Sequence, residues 1–209
     1  MKKWILLFVF LCCSLGLTYQ VKPLAQVWRF DAPASLDQLS SLSGKWEIAT
    51  PEKLNQPFLS QIVRYADFPK VLVKDRDYYD FEASTKLYIS GDIQETQAAG
   101  LILRYRNLYS FYMLFINAKD KRITLTRAAR GGIKAIQRVN HEFSPDQWYE
   151  LRAVCHLDNI KAYVNDQLLL EAEDDTTTGG KVGLVCAGPS KVYFEGMRIH
   201  SEIFEVAKQ

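Results

Sequence analysis

The sequence lacks the motifs that mark most metal-dependent and nucleophilic enzymes. It contains no C-x-x-C pair, no H-E-x-x-H, no G-x-S-x-G and no glycine-rich phosphate-binding loop, and its three histidines do not cluster. These absences give no support to a zinc site, to an activated nucleophile or to a glycine loop that holds phosphate. We therefore expect neither a metal nor a cofactor.

The chain also lacks a useful excess of either charge. Without Lys2 and Lys3, which belong to an N-terminal apolar segment, the 26 basic residues fall to 24 and equal the 24 acidic residues. Nucleic-acid binding depends on a basic surplus that neutralises phosphates. The composition therefore argues against a nucleic-acid partner.

The first residues predict export. The basic residues 2–3 precede an apolar run at 4–17 that is shorter than the roughly 20 residues of a membrane-spanning helix. Small side chains suit a cut after Gly16, so we expect a signal peptide at 1–16. The mature protein would then be secreted, periplasmic or at the cell surface, with no membrane contact beyond the signal segment. An uncleaved anchor is the less favoured alternative.

Four cysteines are present in two groups. Cys12 and Cys13 lie in the predicted signal segment, where a lipid anchor is disfavoured because neither follows a small residue. Cys155 and Cys186 are the only two expected in the mature chain, and both fall on the apolar face of a predicted strand. In an oxidising compartment they would either form one disulfide or stay as buried free thiols, and both alternatives remain open.

From about Trp28 onward, apolar and polar residues alternate with a period of two. In the segment FEASTKLYIS, Leu87 and Ile89 share one face while Tyr88 points to the other. Comparable short segments recur, separated by turn residues such as NAKD, ARGG and TTTGG. This pattern, without a long helical period, predicts an all-β fold, a two-sheet antiparallel jelly-roll sandwich.

The same pattern sets the expected domain limits. We predict one jelly-roll domain at 28–200, preceded by an N-terminal extension at 17–27 and followed by a C-terminal tail at 201–209. Inside the domain, Asn165 and Asp166 separate two short strand segments. They predict a two-residue hairpin turn, because both residue types tolerate left-handed backbone conformations.

Several motifs in succession resemble a known family. They are GKWEI at residue 44, DYYDFEASTKLYISG at 77, AAGLILRYRNLYSFYMLFI at 98, QWYELRAVCHLDNIKAYVNDQLLL at 147, GGKVGLVCAG at 179 and VYFEGMRI at 192. Their order and spacing resemble the concanavalin A-like lectin/glucanase jelly rolls, and among these the laminin-G-like and 3-keto-disaccharide hydrolase type of bacterial secreted domain. The resemblance implies two curved sheets whose open face or rim loops bind or cleave sugar, and it does not separate binding from catalysis.

The chain departs from that family at two places. Asn165-Asp166 stands where the family commonly has Asn-Gly, which changes the turn type at most. Glu195-Gly196 stands where the family often has Asp-Asn near the last strand, and the loss of that acidic-amide pair lowers any expectation of calcium.

The carboxylates give little support for glycoside hydrolysis on a strand. The glucanase branch is expected to carry E-x-D-x-x-E, which places carboxyl groups on one sheet face. The nearest stretch, EAEDD at 171–175, runs off a strand end into TTTGG and is interpreted as a solvated acidic turn. An enzyme whose acids come from separate loops needs no such strand motif. The 3-keto-disaccharide hydrolase alternative therefore remains open.

The most distinctive segment is LRYRNLYSFYMLF at 103–115, in which arginine and asparagine interrupt a frame of leucines and rings. By the resemblance the leucines are core, so alternation places Arg104 on the open face. We assign Phe111, Met113 and Phe115 to the core, which leaves Tyr112 on the open face. Tyr88 is expected there as well.

These residue types suit a sugar site, because rings offer apolar platforms and guanidinium or amide groups bond to hydroxyls. The alternative is that tyrosines fill strand positions by propensity and arginine stems merely cover apolar surface. The candidate carbohydrate-binding residues are Arg104, Tyr112, Tyr88, Asn107 and Tyr109.

We expect an exported, lectin-like jelly-roll domain that binds carbohydrate or polysaccharide without catalytic machinery of its own. One alternative is a glycan-active hydrolase of the 3-keto-disaccharide hydrolase type. Another is a laminin-G-like domain whose partner is a protein.

Overall fold

The computed structural model describes residues 19–61, 68–92 and 96–206. Within these ranges the chain forms two antiparallel sheets that face each other across one hydrophobic core. The prediction of an all-β jelly-roll sandwich is confirmed. The predicted signal segment lies outside the described residues, and none of the described helices is long and apolar enough to cross a membrane.

In the described ranges, fifteen strands build the two sheets. The eight-stranded sheet contains β1 (Tyr19–Arg29), β3 (Trp46–Ala49), β4 (Phe58–Gln61), β6 (Phe81–Ile89), β11 (Trp148–His156), β12 (Asn159–Val164), β13 (Gln167–Glu173) and β15 (Val192–Val206). The seven-stranded sheet contains β2 (Leu39–Ser43), β5 (Lys70–Val73), β7 (Ala98–Asn107), β8 (Ser110–Asn117), β9 (Arg122–Ala129), β10 (Gly132–Asn140) and β14 (Lys181–Ala187). A 3-10 helix, Pro33–Gln38, connects β1 to β2.

Strands distant in the chain lie side by side in both sheets. The eight-stranded sheet runs in the order β13-β12-β11-β6-β15-β4-β3, with β1 paired to β15. The seven-stranded sheet runs in the order β10-β9-β8-β7-β14-β5-β2.

Both ends of the described chain belong to the domain. β1 pairs with β15 from Tyr19 opposite Val206 to Arg29 opposite Gly196. The predicted N-terminal extension is therefore a strand as far as it is described, and the predicted C-terminal tail continues β15 to Val206. The predicted limits of 28–200 are too narrow, because each terminal segment becomes a strand by pairing with the other.

Alternate residues of the long strands point into the core between the sheets. Leu87 and Ile89 of β6 face inward as predicted, and Leu101 and Leu103 of β7 meet them from the other sheet. Burial of apolar surface, worth about 25 cal/mol per Å², holds the two sheets together.

Each sheet also carries an apolar cluster on its other face, formed by residues that alternate with the core residues. On the eight-stranded sheet this cluster is Phe58, Tyr88 and Tyr193. Trp148 extends it, with its ring centroid 5.1 Å from Phe58 and 5.5 Å from Tyr88. On the seven-stranded sheet the cluster consists of Leu72, Ile102, Phe111, Met113, Ala128 and Val185.

The predicted hairpin turn is confirmed. β12 ends at Val164 and β13 begins at Gln167, and the two residues between them have positive φ angles, 49° at Asn165 and 64° at Asp166. Two left-handed residues are what a type I′ turn requires. The side-chain oxygen of Asn165 also accepts the backbone N–H of Glu150 at 3.0 Å, which ties the turn to β11.

Cys155 and Cys186 are buried free thiols, so the disulfide alternative does not hold in this structure. They lie in different sheets, on β11 and β14. Facing sheets pack about 10 Å apart, whereas a disulfide needs Cα atoms within about 7 Å. Burial raises the pKa of Cys155 to about 12 and also raises the pKa of Cys186, so both thiols stay protonated.

Candidate functional site

A bulge in β7 decides which side chains reach one end of the sandwich. Leu103 pairs with Tyr112, and the next paired residue, Asn107, faces Ser110, so three residues of β7 stand opposite one residue of β8. Arg104 begins the bulge with a φ of 54°, a left-handed conformation uncommon outside glycine. The alternation of side chains therefore breaks at this residue.

The bulge turns Arg104 into the protein interior, where its exposure is 0%. The prediction that it lies on the open face is wrong, because strand parity holds only along an unbulged strand. Its Nη1 donates to the Thr177 carbonyl at 3.2 Å and its Nη2 donates to the Tyr79 carbonyl at 3.3 Å. Arg104 thus ties the 74–80 loop to the 174–180 loop and offers no surface to a ligand.

Tyr112 is also fully buried, so its predicted place on the open face is wrong as well. It belongs to the core between the sheets, whereas Phe111, Met113 and the partly buried Phe115, all predicted to be core, belong to the cluster on the other face of the seven-stranded sheet. Both faces of β8 are apolar, so alternation alone does not show which face meets the other sheet.

Tyr112 anchors the 174–180 loop from the core side. Its hydroxyl donates to Asp174 Oδ1 at 2.6 Å and accepts the backbone N–H of Thr177 at 3.1 Å. Arg127 Nη1 on β9 donates to Asp174 Oδ2 at 2.6 Å. Ser110 Oγ on β8 lies 2.8 Å from Thr177 Oγ1. These bonds hold the loop against β8 and β9.

Asp174 belongs to the stretch that was predicted to be a solvated acidic turn, yet its side chain is only 11% exposed. Burial raises the pKa of Asp174, but hydrogen bonds from Tyr112 and Thr176 and the charge of Arg127 outweigh that effect and hold the pKa below its ordinary value. Burial, reinforced by the bond to Asp174, raises the pKa of Tyr112. At neutral pH, Asp174 therefore stays a charged carboxylate and Tyr112 stays a neutral donor.

The 74–80 loop, which Arg104 ties to the 174–180 loop, borders an open groove of about 840 Å³, which we call the rim groove. Its polar lining includes Lys74, Asp75, Asp77, Tyr79, Tyr105, Arg106 and Lys181. Leu42 and Leu72 add an apolar part. The volume falls within the roughly 300–1,000 Å³ that small-ligand sites occupy.

Tyr79 and Arg106 form one wall of the rim groove, around Gly179. Tyr79 is 59% exposed. Its ring lies so close to Gly179 that a Cβ on this glycine would come within 2.5 Å of the ring carbon Cδ1. Arg106 Nε donates to the Gly179 carbonyl at 2.8 Å, which holds the guanidinium next to the same residue. The site thus presents an exposed aromatic ring beside a planar cation.

Two carboxylates and a lysine complete the polar lining. Lys181 Nζ donates to the Asp75 carbonyl at 2.6 Å and lies 3.7 Å from Asp77 Oδ1. The Asp75 carboxylate accepts the hydroxyl of Tyr78. Burial and that hydrogen bond raise the pKa of Tyr78, so it remains a neutral donor. Asp77 is the more open of the two acids, with a side chain 54% exposed.

The structure does not bring the five predicted site residues together. Arg104 and Tyr112 lie in the interior. Asn107 ends β7 and Tyr109 lies in the exposed turn that follows, with the Asn107 side-chain oxygen accepting the Tyr109 N–H at 2.9 Å. Neither of these two lines the rim groove.

Tyr88 lies on the outward face of its strand, as predicted, but in the other sheet and only 7% exposed. Its hydroxyl donates to Asp146 Oδ1 at 2.9 Å. Burial, with the bond to Asp146, raises the pKa of Tyr88 to about 12. It is a packing residue of the aromatic cluster.

Sequence reasoning missed the groove residues Tyr79, Arg106, Asp77 and Lys181. The one signal for them is polar and aromatic residues at the ends of predicted strands, in DYYD and beside Gly179-Gly180. Nothing local shows that these two segments meet. Among the described residues, no group of three or more His, Cys, Asp or Glu side chains could hold a metal ion.

Comparison with solved structures shows the same fold at low identity. Carbohydrate binding module CBM66 from Bacillus subtilis has a TM-score of 0.68 and 18% identity, covering 78% of this chain and 96% of the module. A Bacillus subtilis protein of unknown function with a galectin-like fold has a TM-score of 0.64 and 15% identity, covering 88% and 99%. The GH43 BlXynB protein from Bacillus licheniformis has a TM-score of 0.61 and 14% identity, covering 83% of this chain but 38% of that one.

A search of curated proteins found no match. The sequence profile of the 3-keto-alpha-glucoside-1,2-lyase-like domain, in contrast, matches residues 59–200. That span is more than half of the chain and runs from β4 to β15. The resemblance seen in the sequence motifs is confirmed. This chain belongs to the 3-keto-alpha-glucoside-1,2-lyase-like domain family.

Proposed function

We propose that this chain is an exported carbohydrate-binding protein whose ligand lies in the rim groove. The observation that carries the proposal is the exposed ring of Tyr79 held beside Arg106 in a groove of small-ligand size. A sugar presents C–H faces to an aromatic ring and hydroxyls to charged groups. Asp77 and Lys181 supply an acceptor and a donor in the same groove.

The buried bonds beneath the groove favour a preformed site. Arg104 bonds to the carbonyl of Tyr79 itself, so the position of the groove's exposed ring depends on this arginine. Tyr112 holds the neighbouring 174–180 loop through Asp174 and Thr177. Binding to loops that are already ordered avoids the free-energy cost of ordering them.

The comparisons support a glycan ligand without naming one. The family description refers to a keto-glucoside, and one structural neighbour is a carbohydrate binding module. The predicted signal segment would bring the mature chain to the compartment where polysaccharides occur.

The proposal is tested on a glycan array with the chain from residue 17 onward, which contains every described strand. The wild type is expected to bind at least one glycan class, and the double variant Tyr79→Ala/Arg106→Ala to bind about tenfold more weakly or not at all. The matched control is Tyr109→Ala/Arg138→Ala, which removes an exposed ring and an exposed arginine outside the groove. Equal binding by the groove variant would place the ligand elsewhere, and silence of the wild type would contradict the proposal.

A second candidate function is favoured by the family description and by the carboxylates in the groove. The keto group at C3 of such a glucoside acidifies the hydrogen on C2. A base removes that proton, its electron pair forms a C1=C2 double bond, and the glycosidic oxygen leaves C1 with the bonding electrons and takes up a proton. Asp77 is the candidate base, and Lys181, 3.7 Å away, offers positive charge to the developing enolate.

The elimination is tested by incubating the protein with a 3-keto derivative of an α-linked disaccharide and following release of the second sugar. Asp77→Asn is expected to lower the rate by about 100-fold or more, the scale of general-base catalysis, while binding persists. Asp166→Asn in the β12–β13 turn, 88% exposed, is the control. No release by the wild type would restrict the function to binding.

A further inference from the structure

β15 changes its partner strand at Glu195. Tyr193 and Phe194 pair with β4, whereas the residues from Gly196 onward pair with β1. In the register with β6, Glu195 is the bulged residue between Phe194 and Gly196. The gap between the two partner strands is a cavity of about 450 Å³ on the outward face of the eight-stranded sheet, which we call the β15 notch.

The floor of the β15 notch has little side-chain bulk. Gly196 has no side chain, and a Cβ there would lie 2.6 Å from the Trp28 carbonyl oxygen on β1. Ser84 of β6, opposite Arg198, is the small residue beside it. Thr85 Oγ1 donates to the Gly196 carbonyl at 2.7 Å, so the floor backbone is already bonded. The space above this floor is therefore available to a ligand.

Charged side chains of both signs surround this floor. One row of outward-facing residues crosses four adjacent strands in the order Arg29, Gly196, Lys86 and Glu150. Lys86 Nζ lies 3.5 Å from Glu195 Oε2. Across the described part of the chain, the side chains of Arg29, Arg198 and Glu150 have neither an ion-pair nor a hydrogen-bond partner. Their donors and acceptors are thus open to a ligand.

An aromatic wall closes one side of the notch. Phe58 lines the cavity, and its ring centroid lies 5.1 Å from that of Trp148. Trp148 is 37% exposed, so part of its ring is accessible from solvent. The combination is apolar ring surface next to unpaired charged groups.

We propose that the β15 notch is a second saccharide-binding site that accepts one residue of a neutral sugar. Its lining carries three cations and three carboxylates, Arg29, Lys86 and Arg198 against Asp31, Glu150 and Glu195. A hydroxyl both donates and accepts hydrogen bonds and so satisfies both kinds of group, whereas an anion or a cation would meet like charges. A cavity of about 450 Å³ suits a ligand of this size.

The notch and the rim groove share no lining residue, so this site does not rest on the function proposed for the groove. The groove is lined by strands of the seven-stranded sheet and the notch by strands of the eight-stranded sheet. Two sites on different sheets would let one molecule engage two polysaccharide chains, or two distant parts of one chain, and raise its avidity without any new contact.

The site is tested by NMR titration of the indole N–H signals. Trp148 contacts the aromatic wall of the notch and is the reporter, whereas Trp46 lies in the core and serves as the internal reference. The probes are maltotetraose, cellotetraose and xylotetraose, added separately to the chain from residue 17 onward. At least one is expected to shift the Trp148 signal in a saturable way and to leave that of Trp46 in place.

Two double variants locate the binding. Glu150→Gln/Arg198→Gln is expected to weaken the notch titration about tenfold or more, the effect of losing a charged hydrogen bond. Tyr79→Ala/Arg106→Ala in the rim groove should leave that titration unchanged, which separates the two sites. Arg138→Gln on β10 controls for the loss of an exposed arginine. The proposal is overturned if no probe shifts the Trp148 signal, or if the notch variant binds as tightly as the wild type.

Discussion

Replacing Arg104 by alanine is expected to lower the free energy of unfolding by about 3–5 kcal/mol, the range for truncating a large buried side chain or breaking a buried charged arrangement. The substitution would leave the carbonyl oxygens of Tyr79 and Thr177 without their donors. It would also open a cavity where a side chain with 0% exposure now packs. Urea unfolding followed by tryptophan fluorescence measures the change.

Arg104→Met separates the hydrogen bonds from the packing. Methionine fills much of the volume of the arginine stem, and it removes a buried charge that has no carboxylate partner among the described residues. Arg104→Met should therefore be more stable than Arg104→Ala. Hydrogen exchange in the 74–80 and 174–180 loops should nevertheless be faster than in the wild type, and saccharide binding in the rim groove should be weaker than in the wild type. Wild-type protection of both loops in this variant would show that Arg104 does not position them.

The second large effect is expected at Gly100, the third residue of β7. A Cβ at this position would lie 2.0 Å from the Leu114 carbonyl oxygen and 2.6 Å from the Phe115 Cα, both backbone atoms of β8. Backbone in a paired strand cannot move aside without breaking the pairing. Gly100→Ala should therefore lower the free energy of unfolding by about 4 kcal/mol or more, an exceptional value for a single methyl group.

Gly131 in the turn between β9 and β10 is the matched control for this substitution. A Cβ there would meet no atom within 4 Å, and its φ is not in the left-handed region. Gly131→Ala should therefore change the free energy of unfolding by no more than about 0.5 kcal/mol, as surface substitutions do. Equal stability of the two variants in urea unfolding would contradict the close approach of β7 and β8.

The strand faces predicted from the sequence hold in β6 but fail at the bulge of β7. The alternation that places Leu87 and Ile89 in the core and Tyr88 outside is a local property, and it holds in the structure. Beyond Leu103 the same rule fails, because the bulge at Arg104 arises from pairing with β8 and β14 and leaves no mark in the alternation itself. The prediction therefore named Arg104, which positions the loop beside the groove, and missed the residues that line the groove.

By itself the sequence determined the class of fold, the strand segments, the Asn165-Asp166 turn and the family. These follow from periods of two residues, from local turn chemistry and from the order of motifs, all of which exist along a single segment. Only the tertiary structure decided that β1 belongs to the domain and that Arg104 joins the 74–80 loop of the rim groove to the 174–180 loop. The physical reason is that these arrangements depend on pairing and packing between distant segments, and no segment carries in its own pattern the identity of its partner.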